Sequence, residues 1–138
     1  MNATFCTRFV LLKKSQEGHL AAVIDAGYHL HKEIGPGLLE SVYEAVLATR
    51  LERLGLKVIR QMPVHIKIDD MDFANAYRVD LFVNDWLVVE LKALENLSGI
   101  HIRQTQTYVK LLNQPMGLVL NFGSAMYRHG VRRVYSSG

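Results

Sequence analysis

Three β-rich segments follow one another in the middle of the chain, and they constrain the fold more than any other feature of the sequence. The first, residues 58–68, contains the run VHIKI at 64–68, where apolar and polar side chains alternate as in a strand with one buried face. The other two, residues 77–83 and 86–91, are separated by Asn84-Asp85, a pair that favours a tight hairpin turn.

Helical patterns lie on both sides of these strands. Apolar residues recur at helical spacing over residues 19–33 and 38–54, and Gly35-Pro36-Gly37 separates the two segments. The later elements are a helix at 98–113, a buried strand at 116–122 and a last strand at 131–135. The order α-α-β-β-β-α-β-β predicts an α/β (α+β) fold, in which helices flank a mixed sheet of four to five strands.

The chain has 138 residues, a length typical of one domain. Residues 1–16 show no clear period and are expected to form a loosely ordered extension, so the domain is predicted to span 17–138. Cys6 stands alone, which excludes an internal disulfide and favours a reducing compartment. No apolar run approaches the ~18–20 residues of a membrane span. We therefore expect a cytoplasmic protein without a membrane partner.

Charged residues interrupt the third β-rich segment and its neighbour. Residues i and i+2 of a strand share a face, so Glu90 and Lys92 project together, and a hairpin would bring Asp80 beside Glu90. Two adjacent carboxylates in an apolar strand are unfavourable unless they are paired or bind a cation, and Mg²⁺ prefers oxygen ligands. The simpler alternative is a buried structural ion pair between Lys92 and one of the acids.

A further carboxylate lies on the second predicted helix. On a helical wheel Glu40 falls inside the apolar arc beside Leu47 and Leu51, while Glu44 lies at the edge of that arc. A carboxylate that faces the core needs a metal or a basic partner. Arg50 also falls in the arc, so the alternative that Glu40 and Arg50 neutralise each other or reach solvent stays open.

The third predicted helix carries His101, Gln104 and Tyr108 at spacings of three and four, which place them on one face. These side chains are suited to contact a phosphate backbone or to support a metal site. The alternative is an ordinary polar flank of the helix with Tyr108 half-buried.

The motifs occur in a fixed order along the chain. They are Gly37-x-x-Glu40-x-x-Tyr43, Tyr77-Arg78-Val79-Asp80, Glu90-Leu91-Lys92, His101-x-x-Gln104-x-x-x-Tyr108 and Asn121-Phe122-Gly123. In this order and spacing the chain resembles the GxxExxY proteins, a family of the PD-(D/E)XK nuclease superfamily. One departure is that valine, not proline, precedes Asp80.

The resemblance implies a restriction-endonuclease-like core and a set of roles. Asp80 and Glu90 would bind Mg²⁺ or Mn²⁺, Lys92 would be catalytic, and Glu40 would complete the acidic metal site. The residues expected to support the site or the substrate are Tyr43, His101, Gln104 and Tyr108.

A divalent-metal-dependent nuclease acting on DNA or RNA is therefore the first hypothesis, and the net charge of +3 is compatible with a polyanionic partner. The alternative is a non-catalytic nucleic-acid-binding or regulatory protein on the same fold. The small domain favours this alternative, because specific protein–DNA interfaces usually bury ~1,000–2,500 Å² of protein surface, and a homodimer would supply the missing area. A metal-free structural domain would leave the acids without a reason to converge.

Overall fold

A helical hairpin opens the part of the chain that the computed structural model describes, residues 15–136. Ser15 caps the first helix by accepting the backbone N–H of Gly18 at 3.0 Å, and Gly35, with a φ of 76°, ends it. In chain order the elements are α1 (Gln16–Ile34), α2 (Glu40–Arg53), β1 (Val58–Ile68), β2 (Met71–Val83), β3 (Leu87–Lys92), α3 (Gly99–Leu111), β4 (Met116–Asn121), α4 (Tyr127–Gly130) and β5 (Val131–Tyr135).

The five strands form one sheet in the order β1-β2-β3-β4-β5. β1, β2 and β3 are antiparallel neighbours, whereas β4 runs parallel to β3 and antiparallel to β5. The parallel pair requires a crossover, and α3 supplies it. The mixed sheet and the order of the elements are confirmed, with the short helix α4 added between the last two strands.

Alternate side chains of β2 and β3 face opposite helical layers. The side chains that pack with α1 and α2 are Leu81, Val83, Leu87, Val89 and Leu91. Phe82 and Val88 pack instead with Tyr108 and Val109 of α3. The sheet is therefore buried on both faces near its centre, and any polar group on β3 must find a partner inside the protein.

Strand β2 begins at Met71, earlier than the predicted start at residue 77. Residues 71–78 are exposed, so they lack the alternation of buried and exposed side chains that marks a half-buried strand. They pair with β1 to form a hairpin arm whose turn contains Asp69, with a φ of 54°. The turn through Asn84 and Asp85, both with positive φ, joins β2 to β3 as predicted.

The predicted N-terminal extension, residues 1–16, lies outside the described residues except for its last two, Ser15 and Gln16. Because these two begin α1, only that end of the extension has a described position, and its boundary stays a prediction. Between residues 15 and 136 no helix is long and apolar enough to cross a membrane.

Candidate functional site

Two carboxylates meet where β2 and β3 leave their regular pairing. The last paired residues there are Leu81 and Val89, and the same register places Asp80 opposite Glu90. The backbone N–H of Asp80 donates to Glu90 Oε1 at 3.0 Å, and the N–H of Leu91 donates to Asp80 Oδ2 at 2.8 Å. Each carboxylate is thus oriented by a backbone group of the opposite strand.

Glu90 is the more deeply buried of the two acids, with only 4% of its surface exposed. Burial, reinforced by the negative charge of Asp80, raises the pKa of Glu90 to about 9, although Lys92 acts in the opposite direction. The pair is therefore electrostatically unfavourable when both carboxyls are ionised, and a cation at this point would relieve the repulsion.

Glu40 and Lys92 lie within electrostatic reach of this pair. Burial raises the pKa of Glu40, the positive charge of Lys92 lowers it, and the charges of Asp80 and Glu44 raise it again. Glu40 is the first residue of α2, and Lys92 is the last residue of β3. The start of α2, the interior of β2 and the end of β3 therefore contribute charges to one region of the molecule.

A second polar network joins α2 to β1 and β2. Glu44 is buried, and its Oε2 accepts hydrogen bonds from Nε and Nη2 of Arg60 at 3.0 and 2.8 Å. The amide nitrogen of Gln61 donates to Glu44 Oε1 and also to Asp80 Oδ1, the latter at 3.1 Å. Glu44, Arg60 and Gln61 were not among the predicted site residues.

The sequence did carry a signal for Glu44. It lies four residues after Glu40, and residues at this spacing share one face of a helix. Arg50, by contrast, pairs with Glu33 at 2.6 Å on the surface. Arg50 therefore pairs with Glu33 and not with Glu40, while the other form of that alternative, in which these side chains reach solvent, fits the partial exposure of Arg50.

Helix α3 packs against the face of β2 and β3 that carries Phe82 and Val88. Gln104 donates from its amide to the hydroxyl of Tyr108 at 3.1 Å. Burial, together with the negative charge of Glu90, raises the pKa of Tyr108, so the ring lies within electrostatic reach of that acid. An apolar groove of about 490 Å³ extends from here towards the hairpin arm, and its lining includes Ile66, Ile68, Phe73, Tyr77, Gln104 and Tyr108.

A family model of the PD-(D/E)XK nuclease superfamily matches residues 17–134 of the chain. The chain belongs to this superfamily. No curated protein and no solved structure gives a significant match. The narrower resemblance to the GxxExxY proteins stays a prediction.

Superfamily nucleases generally use divalent metal ions, and hard divalent ions such as Mg²⁺ require oxygen ligands. Asp80 and Glu90 offer adjacent carboxylate oxygens, which suit Mg²⁺ or Mn²⁺, and Mg²⁺ usually keeps several waters and few protein ligands. Within residues 15–136, however, no three His, Cys, Asp or Glu side chains are close enough to hold a metal together. The two strand acids therefore fit the ion as a pair, and Glu40 does not join them as a third ligand in this conformation.

Two of the predicted support residues have local partners away from the acids. His101 accepts the backbone N–H of Ser98 through Nδ1 at 3.2 Å, so it caps the start of α3. Tyr43 is fully buried and stacks on Phe122 with ring centroids 4.5 Å apart. Its hydroxyl donates to the carbonyl of Gly35 at 2.5 Å, which fixes the turn that leads into α2 and Glu40.

The chain just after β3 is held by hydrogen bonds from Asn121, the last residue of β4, and we call this contact the clamp. Asn121 is fully buried; its Oδ1 accepts the backbone N–H of Leu94, and its Nδ2 donates to the carbonyl of Leu94, both at 2.9 Å. A β-carbon on Gly123 would collide with the backbone of Leu94, so this close approach requires glycine. The clamp fixes the chain two residues beyond Lys92, and the sequence motif Asn121-Phe122-Gly123 gave a signal for it without showing its partner.

Proposed function

We propose that the chain is a divalent-metal-dependent nuclease that hydrolyses phosphodiester bonds of DNA or RNA. The single observation that carries the proposal is the pairing of Asp80 with Glu90 across two strands, with Lys92 on the same face of β3. Membership of the PD-(D/E)XK superfamily supports nuclease chemistry as the class of activity.

Asp80 and Glu90 would hold Mg²⁺ or Mn²⁺. Such an ion stabilises negative charge that develops on the phosphate and makes an attacking water more acidic. Glu90 would bind it from a buried position, where the ion would stabilise the ionised form of this acid beside Asp80. Because Glu40 lies outside a ready three-acid group, we assign it an assisting role from the start of α2.

Lys92 follows Glu90 by two residues, so its stem leaves β3 on the side of the acid pair. An ammonium group carries three hydrogen-bond donors and a full positive charge. Lys92 would therefore orient the attacking water or stabilise the additional negative charge on a phosphate oxygen. Gln104 and Tyr108, on α3, would position the substrate backbone.

The test is cleavage of labelled single- and double-stranded DNA and RNA in Mg²⁺, Mn²⁺ or EDTA. We expect metal-dependent cleavage by the wild-type protein, which falls about 10²–10³-fold in Lys92→Ala and in Asp80→Ala, the effect typical of losing one charge-stabilising group. Lys67→Ala is the matched control, because Lys67 is an exposed lysine on β1. If all three variants cleaved as fast as the wild type, the cleavage would come from a contaminating nuclease.

A non-catalytic nucleic-acid-binding protein on the same fold is the second candidate. The observation that favours it is that no three-acid metal group exists among the described residues. Under this alternative the folded protein would bind labelled nucleic acid in EDTA and would not cleave it in any metal. Binding that survives in Lys92→Ala without detectable cleavage by the wild type would support it over the enzyme.

A further inference from the structure

Gln61 has an unusual backbone for a residue inside a strand. Its φ is 51°, in the left-handed region that is sterically unfavourable for residues with a β-carbon. The other non-glycine residues with positive φ among residues 15–136 are Asp69, Asn84, Asp85 and Asn113. Those four are asparagine or aspartate in turns, where this conformation is common, so only Gln61 requires a separate explanation.

The strain coincides with a gap in the strand pairing. Arg60 pairs with Leu81, and Met62 pairs with Val79, while Gln61 lies between them opposite Asp80 without a paired position. In a regular strand, residues 60 and 61 would point to opposite faces of the sheet. Here both side chains reach the carboxylate of Glu44, so the left-handed residue turns the Gln61 amide onto the face of the acids.

The amide makes two contacts that no neighbouring residue provides. Oδ2 of Asp80 is held by the backbone of Leu91, and Gln61 holds the other oxygen, Oδ1, so the orientation of the carboxylate is fixed at both atoms. The same nitrogen donates to Glu44 on α2. One side chain therefore links the carboxylate of β2 to the helix that carries Glu40.

Packing does not account for the strained conformation. Gln61 is an exposed residue on β1, which is an edge strand of the sheet. No burial of the side chain offsets the unfavourable φ. Strained backbone of this kind persists where the surrounding structure or the function requires it.

We propose that Gln61 is a positioning residue, whose left-handed backbone directs its amide to orient Asp80 for the divalent cation and to tie α2 to the sheet. This inference rests on the proposed metal-dependent function. A structural explanation also exists, because irregular residues on edge strands protect a sheet from pairing with another chain. The two explanations differ in what removal of the side chain does to metal affinity.

The experiment measures Mn²⁺ dissociation constants, by electron paramagnetic resonance, and Tm in EDTA for Gln61→Gly and Gln61→Ala. Both variants lose the amide, but glycine adopts a positive φ without strain, whereas alanine retains the strain. We expect both to bind Mn²⁺ at least fivefold more weakly than the wild type, with Gln61→Gly melting at a higher temperature than Gln61→Ala. Asn113→Gly is the matched control for a left-handed residue outside the site, and it should leave Mn²⁺ affinity unchanged.

Unchanged Mn²⁺ affinity in both Gln61 variants, with binding lost in Asp80→Ala, would overturn the positioning role while the proposed metal site stands. Stronger Mn²⁺ binding in Gln61→Gly would also overturn it, because the amide would then compete with the ion for Asp80. A wild-type protein that binds no Mn²⁺ would refute the metal-dependent function itself and this inference with it.

Discussion

Replacement of Asn121 by alanine should destabilise the protein and displace the end of β3. The side chain is fully buried and makes hydrogen bonds to both backbone groups of Leu94, to the N–H of Gly123 and to the hydroxyl of Ser124. Alanine keeps the β-carbon but can make none of these side-chain hydrogen bonds. The N–H and carbonyl of Leu94 would then lack partners in a partly buried loop.

The expected loss follows from those two backbone groups. A buried donor or acceptor left without a partner costs about 1–3 kcal/mol. Leu94 is only partly buried, so the lower part of that range applies to each group. The sum is about 2–4 kcal/mol, a large part of the ~5–15 kcal/mol by which domains are usually stable.

Urea unfolding of the wild type and of Asn121→Ala, followed by circular dichroism, measures this difference. Gln106→Ala is the matched control, because Gln106 makes one exposed hydrogen bond, to the carbonyl of Tyr135, and its loss should change stability by less than ~1 kcal/mol. A loss below ~1 kcal/mol for Asn121→Ala would show that water replaces the amide, and the clamp would then have little part in holding Lys92.

Three other substitutions test separate parts of the structure. Gly123→Ala should lower the free energy of unfolding by about 2 kcal/mol, because the added β-carbon would collide with the backbone of Leu94. Gly99→Ala is the control and should change it by no more than ~0.5 kcal/mol, because its β-carbon would contact only the end of a flexible side chain. Equal losses for the two variants in urea unfolding would contradict this. Glu90→Gln should abolish Mn²⁺ binding yet raise Tm in EDTA at neutral pH by about 2–4 °C. A buried carboxyl with a pKa of about 9 must take up a proton when the chain folds, which costs free energy, whereas the amide is neutral in both states. A lower Tm would refute that reasoning. Tyr43→Phe should cost ~1 kcal/mol in urea unfolding and reduce cleavage, because its hydroxyl fixes the turn before α2; unchanged cleavage would remove it from the supporting residues.

The arrangement of Asp80, Glu90 and Lys92 could be predicted from the sequence because it depends on local rules. Alternation along a strand places Glu90 and Lys92 on one face, and a short turn through Asn84-Asp85 fixes which residue lies opposite Glu90. Both rules act over a few residues, so no knowledge of the tertiary structure is needed. The fold class follows in the same way from the order of strands and helices.

The network around Glu44 could not be predicted because one residue departs from the strand period. Regular alternation assigns Arg60 and Gln61 to opposite faces, and only the left-handed backbone of Gln61 brings both to Glu44. His101 shows a different limit. Its spacing from Gln104 correctly predicts a shared helix face, but its ring is used by Ser98 at the helix start, a choice that spacing does not reveal.

Unfavourable local features converge on Asp80. Glu90, opposite it, is a buried acid with a raised pKa, and Gln61, which orients it, has strained backbone on an exposed edge strand. Each feature alone has a structural explanation, yet a sheet that needed only stability would gain from losing both. The double variant Gln61→Gly/Glu90→Gln should therefore have a higher Tm than the wild type in EDTA. Added Mn²⁺ should raise the Tm of the wild type and leave that of the double variant unchanged. A double variant that melts below the wild type in EDTA would show that the hydrogen bonds of Gln61 and Glu90 outweigh the strained backbone and the buried acid, and the argument from local strain to a metal site would fail.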